Sequence, residues 1–150
     1  MTEIAVRRLR ADDRDRWGEL WNGYLTFYRA HVSDEVTESS FASLCAGDAG
    51  MVGLVAVDSS DEPVGLAHLI FHPATWSTVT SCYLEDLFVD RGHRGGDVAG
   101  ALFDAVYAQA RDAGADRVYW HTQQFNGAAR SLYDTVGRLT SFVVYEHDLD

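Results

Sequence analysis

Lysine is absent from this sequence of 150 residues, and all 12 of its basic residues are arginine. The absence excludes a phosphate loop of the GxxxxGK[ST] type, because that loop needs a lysine to reach the phosphates. Acidic residues outnumber basic ones, because 23 acidic residues against 12 arginines give a formal net charge of −11. A chain this acidic repels a phosphate backbone, so no nucleic acid partner is expected and a cationic ligand is favoured.

Cysteine and long apolar runs are scarce as well. The two cysteines, Cys45 and Cys82, lie far apart without a CxxC spacing, which argues against a zinc ribbon or a disulfide framework and is typical of small core residues. No stretch approaches the roughly 18 consecutive apolar residues of a membrane span. The first residues, MTEIAVRRLRADD, also lack the apolar segment of a signal peptide. We therefore expect a cytoplasmic protein without a membrane partner.

The residues that are present predict one globular domain over residues 1–150, with 47% hydrophobic and 23% charged content. Apolar periodicity and helix-ending glycines predict the order β-α-α-β-β-β-α-β-α-β. The predicted strands cover residues 4–9, 51–57, 63–72, 81–89, 116–122 and 141–149, and the predicted helices cover 11–31, 33–47, 99–114 and 126–137. The polar DSSDE between the second and third strands predicts a hairpin.

Large aromatic residues follow the first predicted helix at helical spacing. One stripe of this helix carries Trp17, Trp21, Tyr24, Tyr28 and His31. Two interpretations stay open. The stripe packs the helix onto the sheet, or, together with the acids of the DEVTE segment that follows, it forms an aromatic, negative opening for a cationic amine. In the second case Tyr24 and Tyr28 are candidate substrate-binding residues.

A glycine-rich bend, RGHRGGDVAG, follows the fourth predicted strand and precedes a helix. It lies about two thirds of the way along the chain, where the GxGxxG of a dinucleotide-binding domain does not occur. Backbone amides at a helix N-terminus nevertheless attract anions without any lysine. The bend is thus either an anion site with Asp97 as its unexpected residue or an ordinary turn.

This bend and the segments after it resemble the GNAT superfamily of acetyl-CoA-dependent N-acetyltransferases. The RGGDVA segment matches the superfamily pattern Q/R-x-x-G-x-G/A at Arg94 and Ala99 and departs from it at Asp97. The superfamily's later N-x-x-A-x-x-x-Y arrangement is met by Asn126, Ala129 and Tyr133. The resemblance covers most of the chain. Within the superfamily, YLEDLFV, ATW and VYWHT look like the branch that acetylates polyamines, histones or small amines.

The resemblance implies an α/β fold with a mixed, mostly antiparallel central sheet, flanked by helices and splayed between two parallel strands, CYLEDLFV and DRVYWHT. Acetyl-CoA is the implied cosubstrate, with its pantetheine beside the backbone of Leu87, Phe88 and Val89. The loop residues implied to bind its phosphates are Arg94, Gly95, Gly96, Asp97, Val98, Ala99 and Gly100. The Asp97 side chain is expected to turn outward and cap the first helical turn. The remaining implied cofactor-binding residues are Asn126, Ala129 and Tyr133.

The resemblance also implies catalytic roles. Glu85 is the implied base, or only a binder of the cationic amine, and burial on a strand would raise its pKa. Its neighbour Asp86 is expected on the opposite face of the strand. Tyr133 is the implied proton donor to the leaving thiolate, unless it is a core aromatic residue, and the Leu87 amide is the candidate oxyanion donor. His121 is a further candidate for the substrate pocket.

Neither a metal nor a covalent intermediate is expected. His68 and His72 share a face of one predicted strand, but a zinc site needs at least a third ligand and the sequence signals none. Cys82 has no histidine partner nearby in sequence. The predicted function is direct transfer of an acetyl group to a primary amine such as a polyamine, a diamine or another small amine. The alternatives are a non-catalytic acetyl-CoA-binding sensor and a protein-lysine acetyltransferase. The last predicted strand has an edge that can pair in a homodimer.

Overall fold

The computed structural model of the chain describes residues 4–94 and 97–150. These residues form two compact units, one ending at Trp120 and the other running from His121 to Asp150. The prediction of one domain over residues 1–150 stays a prediction. No helix in the described ranges is long and apolar enough to cross a membrane.

The first unit is built on a five-stranded sheet in the order β1-β2-β3-β4-β5. Neighbouring strands are antiparallel except β4 and β5, which are parallel. The strands are β1 Ala5–Arg8, β2 Met51–Val57, β3 Pro63–His72, β4 Ser81–Val89 and β5 Val118–Tyr119. The predicted mixed, mostly antiparallel sheet and the hairpin between its second and third strands are therefore confirmed.

Three helices flank this sheet, and a fourth lies in the second unit: α1 Arg14–Phe27, α2 Asp34–Ala46, α3 Val98–Asp112 and α4 Gly127–Val136. Helix α2 begins where predicted, because the Ser33 side chain accepts a hydrogen bond from Val36 N at 3.2 Å. It ends at Gly47, whose φ of 74° is the left-handed conformation that glycine adopts without strain. Helix α1 begins three residues later and ends four residues earlier than predicted.

Helices α1 and α2 cover one side of the sheet with an apolar cluster. Its buried members are Leu9, Trp17, Leu20, Trp21, Phe41, Leu44, Val55, Val57 and Leu66. Helix α1 comes close to β4 because it carries a glycine there: a Cβ on Gly23 would lie 3.0 Å from the Phe88 ring. The aromatic stripe of α1 therefore packs onto the sheet at its buried end, as the first interpretation expected.

Helix α3 covers the other side of the sheet. Its buried residues Val98, Leu102, Phe103 and Val106 are all apolar. The helix approaches β3 closely at Gly65, where an added Cβ would lie 3.2 Å from both Val98 and Leu102. Strands β3 and β4 are thus fixed between helices on both faces, which makes β4 a rigid support for side chains.

Two irregularities of β4 shape the region around it. Opposite β3, His68 pairs with Asp86 and Leu69 pairs with Leu84, so Glu85 is the extra residue of a β-bulge. Opposite β5, only Cys82 and Tyr83 are paired. The strand predicted over residues 116–122 is therefore reduced to Val118–Tyr119, because the parallel pairing ends after two residues.

The strand predicted over residues 141–149 is wrong. Residues 121–150 are all described, and their regular element is α4, with no strand at 141–149. A β-strand is stable only when its backbone groups pair with a neighbouring strand, and alternating apolar residues do not supply that neighbour. Pairing of this segment in a homodimer stays a prediction.

Candidate active site

Among the described residues of the first unit, the second half of β4 pairs with a neighbouring strand on one edge only. Beyond Tyr83 the parallel pairing with β5 has ended, while Leu87, Phe88 and Val89 remain paired to β3 on the other side. Outward-directed N–H and C=O groups at such an edge can pair with an extended ligand that carries amides. The backbone of these three residues therefore fits the predicted pantetheine position, and their role stays a prediction.

The chain after β4 holds the start of the predicted phosphate loop. Arg94 donates from Nε to the Val89 carbonyl at 3.1 Å, and its guanidinium carbon lies 5.2 Å from the centre of the Phe88 ring. Both contacts fix an exposed cation near the open end of β4. The predicted loop residues Gly95 and Gly96 lie outside the described residues.

Helix α3 begins at Val98 with Asp97 at its N-cap position. The Asp97 residue is exposed, but its side chain accepts no capping hydrogen bond, so the expected cap is not observed. The first backbone N–H groups of a helix have no intrahelical acceptor. Val98, Ala99 and Gly100 therefore supply donors of the type that a phosphate needs, and the positive end of the helix dipole adds to the attraction.

Glu85 occupies the bulge of β4 and is exposed. Loss of hydration raises the pKa of its carboxyl above the ordinary value, and the neighbouring Asp86 charge raises it further, while His68 acts in the opposite direction. The direction is the one predicted for a base on this strand. Whether Glu85 accepts a proton or only binds a cation stays a prediction.

Asp86 is the residue that sequence reasoning missed. Regular alternation placed it on the opposite face from the substrate, but the bulge at Glu85 interrupts the alternation. Its Oδ2 lies 2.8 Å from His68 Nδ1, and its charge acts on both Tyr24 and Tyr28. Asp86 therefore lies on the same side of the sheet as Tyr24 and Tyr28, two of the predicted substrate-binding residues. A bulge has no dependable signature in a single sequence.

Tyr24 and Tyr28 continue the aromatic stripe from the core to the surface. The ring centre of Tyr24 lies 5.6 Å from that of Trp21 and 5.0 Å from that of Tyr28. Burial raises the pKa of the Tyr24 hydroxyl far above its ordinary value, and the Asp86 charge and a hydrogen bond to it add to the shift. Tyr28 is shifted in the same direction by burial and by Asp86. Both hydroxyls therefore stay protonated and can donate to a carboxylate.

The two histidines of β3 have separate hydrogen-bond partners. His68 accepts from Trp17 Nε1 at 3.0 Å, whereas His72 Nε2 lies 2.6 Å from the Tyr119 hydroxyl. Within residues 4–94 and 97–150, no group of three or more metal-ligating side chains is assembled. Cys82 is buried, and burial raises the pKa of its thiol to about 11, which is unsuited to a nucleophile at neutral pH.

The remaining predicted residues lie in the second unit. Asn126 is the N-cap residue of α4, and its carbonyl accepts from Arg130 N at 3.0 Å. Ala129 and Tyr133 are four residues apart and share a face of this helix. His121 lies before the helix and is exposed. The roles of these four residues in binding and catalysis stay predictions.

The described site in the first unit combines two chemical capacities. An open strand edge and a free helix N-terminus offer backbone groups to a long ligand with amides and phosphates. Two adjacent carboxylates, Glu85 and Asp86, together with the hydroxyl of Tyr24, offer a cation an acidic and aromatic surface. The residues described therefore fit acetyl-CoA and an amine side by side.

Comparison with known proteins gives the same assignment. The profile of the acetyltransferase (GNAT) family matches residues 12–137. The D-amino-acid N-acetyltransferase HPA3 of Saccharomyces cerevisiae is 30% identical over 146 residues, which cover 97% of this chain and 91% of that protein.

Solved acetyltransferases share the fold. AAC(6')-Iy in complex with the bisubstrate analogue CoA-S-monomethyl-acetylneamine aligns with a TM-score of 0.84 at 15% identity, with 99% of each chain covered. The ribosomal-protein-alanine N-acetyltransferase of Brucella melitensis biovar Abortus 2308 aligns with a TM-score of 0.79 at 17% identity, covering 98% of this chain and 100% of that one. The profile match and the yeast relative together assign the activity, and this chain belongs to the acetyltransferase (GNAT) family as an acetyl-CoA-dependent N-acetyltransferase.

Proposed function

We propose that the protein transfers the acetyl group of acetyl-CoA directly to a small primary amine, such as a diamine or a polyamine, within a ternary complex. One observation carries the proposal. The carboxylates of Glu85 and Asp86 lie on β4, just before Leu87, Phe88 and Val89, whose backbone is the proposed binding position of the pantetheine. An amine attracted by these carboxylates is thereby brought beside the position expected for the thioester.

The amine must lose a proton before it can attack. With a lysine-like pKa of about 10.4, only about one molecule in 2,500 is neutral at pH 7, a penalty of roughly 4.6 kcal/mol. Glu85, whose pKa is raised, is the proposed acceptor of this proton, either directly or through a water molecule. Asp86 and Tyr24 hold the ammonium group until the proton leaves.

Acetyl-CoA supplies an activated acetyl group as a thioester when it is bound. The amine nitrogen forms the new bond to the carbonyl carbon, and the carbon–sulfur bond breaks. The Leu87 backbone N–H is the proposed donor to the carbonyl oxygen as negative charge develops. Tyr133 is the proposed donor of a proton to the departing sulfur, whose thiol has an ordinary pKa near 8.5. The second proton of the nitrogen passes to solvent as the amide forms, and solvent returns a proton to the tyrosine. No nucleophile of the protein takes part.

A second candidate acceptor is the α-amine of an amino acid. It is favoured by the yeast relative, which is a D-amino-acid N-acetyltransferase. The acidic pair on β4 argues the other way, because a substrate carboxylate beside Glu85 and Asp86 is repelled. An amine without a carboxylate is therefore the better match to the charge of this site.

A matched pair of acceptors tests the proposal. 1,5-Diaminopentane and D-lysine differ only by the carboxylate, so their kcat/KM values isolate its effect. We expect the diamine to be preferred by about ten-fold, which corresponds to about 1.4 kcal/mol. Thiol release and the mass of the acetylated product are measured for both, with spermidine and a lysine-containing peptide as further acceptors.

Each outcome favours one of the candidate functions. A preference for D-lysine would favour the amino-acid acceptor, and acetylation of the peptide alone would favour a protein-lysine acetyltransferase. Binding of acetyl-CoA without turnover of any amine would overturn the proposed reaction in favour of a sensor.

A further inference from the structure

A chain of hydrogen bonds runs from the buried core to the candidate site on the α1 side of the sheet. The Trp17 indole N–H donates to His68 Nε2 at 3.0 Å, and His68 Nδ1 lies 2.8 Å from Asp86 Oδ2. Trp17 is completely buried and His68 is 3% exposed. The Asp86 side chain is 14% exposed. The chain therefore links the core to a carboxylate that remains open to solvent.

The tryptophan determines where the imidazole proton lies. An indole N–H can only donate, so His68 Nε2 must be the acceptor. The single proton of the neutral ring is then on Nδ1, from which it is donated to Asp86. A second proton on Nε2 would face the indole N–H without an acceptor in a buried site, which is costly. The ring is restricted to one tautomer, and Asp86 Oδ2 always faces a donor.

We propose that Trp17 and His68 are positioning residues that hold the Asp86 carboxylate in the orientation that receives the ammonium group of the acceptor. The inference rests on the proposed function and adds to it the residues that position the Asp86 carboxylate. Tyr24 on α1 is close enough for the Asp86 charge to raise the pKa of its hydroxyl, and Glu85 is the neighbour of Asp86 on β4. The hydrogen bond from His68 on β3 therefore sets the orientation of the Asp86 carboxylate, which lies near groups from α1 and β4.

Packing alone does not explain why Trp17, His68 and Asp86 are joined by hydrogen bonds. The cluster around Trp17 is otherwise aliphatic and aromatic. A buried hydrogen bond contributes only about 1 kcal/mol net, and replacing both partners by apolar groups of similar shape is often nearly neutral. A purely structural role predicts a change in stability without a change in amine affinity. A positioning role predicts that the KM for the amine rises.

Trp17→Phe removes the hydrogen bond to His68 at the buried end of this series of hydrogen bonds. Trp21→Phe is the matched control. The two indoles lie on one helix with ring centres 5.7 Å apart. In the described part of the chain, the Trp21 N–H has no hydrogen-bond partner. We expect Trp17→Phe to raise the KM for 1,5-diaminopentane about ten-fold while the KM for acetyl-CoA stays within about two-fold. Trp21→Phe should change neither value.

A second pair at position 68 does not depend on the tryptophans. The amide N–H of His68→Asn can take the place of Nδ1 as the donor to Asp86, whereas His68→Leu has no donor. We expect His68→Leu to raise the KM for the diamine. The KM of His68→Asn should lie close to the wild-type value. Long-range proton–nitrogen NMR spectra report the tautomer directly: the proton should be on Nδ1 in the wild type and in Trp21→Phe, and Trp17→Phe should show both tautomers.

The outcomes separate the positioning role from the proposed function. Equal amine KM values in Trp17→Phe and Trp21→Phe would overturn the positioning role while acetyl transfer remains. A proton on Nε2 in the wild type would overturn it as well. If the wild type acetylates no amine, the proposed function fails, and calorimetric binding of 1,5-diaminopentane in the presence of CoA then decides: weaker binding by Trp17→Phe than by Trp21→Phe supports the positioning role. Equal binding by the two variants, or none by the wild type, contradicts it.

Discussion

The two sides of the central sheet are built from different chemistry. On the α3 side, the helix contributes Leu102, Phe103 and Val106, which are completely buried and apolar. The strand residues on that side, such as Ala67 and Leu69, are equally buried and apolar. On the α1 side, a buried histidine and a partly buried aspartate interrupt an aromatic cluster.

The difference shows which side stabilises the fold and which side binds the amine. Burial of apolar surface is the main source of stability, and the α3 side supplies it without polar groups that need partners. Most buried polar groups in proteins are hydrogen-bonded, as His68 is to Trp17 and Asp86. We therefore expect variants on the α3 side to change stability and variants on the α1 side to change turnover.

The largest expected effect is on the α3 side. Phe103→Ala removes a buried ring whose centre lies 5.0 Å from that of Trp120. The cavity should lower the free energy of unfolding by about 3–5 kcal/mol. Urea denaturation measures this loss, and kcat per folded molecule should stay at the wild-type value. Phe103→Leu is the control, because it leaves a smaller cavity and should cost less. A loss of turnover in the folded protein would show that the α3 side also shapes the site.

The next effect is expected on the α1 side. Glu85→Gln removes the proposed base and should lower kcat/KM for the amine by about 100-fold at pH 7, with little change in stability. The carboxyl must be ionised to accept a proton, so wild-type activity should fall as the pH drops through its raised pKa. The titratable groups that lie close enough to influence it are Asp86 and His68.

The pH profile separates the two roles of Glu85. If it is the base, the variant should lose this acidic limb. A uniform loss at all pH values would identify Glu85 as a binder of the cation instead. Asp104→Asn removes a charge from an exposed position on α3 and should leave the whole profile unchanged.

A smaller effect is expected from the second unit. Tyr133→Phe removes the proposed proton donor and should lower kcat by about ten-fold or more. The melting temperature should change little, because the ring remains. Tyr107→Phe, on helix α3, is the matched control and should keep full activity. Unaltered turnover in Tyr133→Phe would remove this hydroxyl from the mechanism and leave catalysis to the α1 side of the sheet.

Much of the fold could be predicted from the sequence because its signals are local. Ser33 and Gly47 mark the two ends of α2, and each is observed in the expected capping conformation. The polar segment between β2 and β3 likewise predicted their hairpin. The failed strand at 141–149 shows the limit, since strand formation depends on a partner that alternation in one segment does not specify.

The candidate site could be predicted only in part. Glu85 was found through a resemblance, and the raised pKa of its carboxyl agrees with the role assigned to it. Asp86 was missed because its orientation depends on a bulge, which inserts one residue without changing the residue types around it. The contact from Trp17 to His68 spans 51 residues and arises only when α1 packs on β3.

The smallest effect is expected where the α3 side meets the predicted phosphate loop. Asp97 is exposed and accepts no capping hydrogen bond, so its carboxylate contributes little to the start of α3. If it also points away from the phosphates, Asp97→Gly should change the affinity for acetyl-CoA by less than about ten-fold, which is less than about 1.4 kcal/mol. Calorimetric titration with acetyl-CoA measures the change.

Asp97→Asn separates the charge of this residue from its shape. If both variants bind acetyl-CoA about as tightly as the wild type, the loop tolerates the aspartate and the departure from the family pattern has no functional cost. A gain of about 100-fold in both variants would mean that the carboxylate repels the phosphates by roughly 2.7 kcal/mol. The protein would then carry a weakened cofactor site on the α3 side beside an intact amine site on the α1 side, which is the combination expected of a sensor.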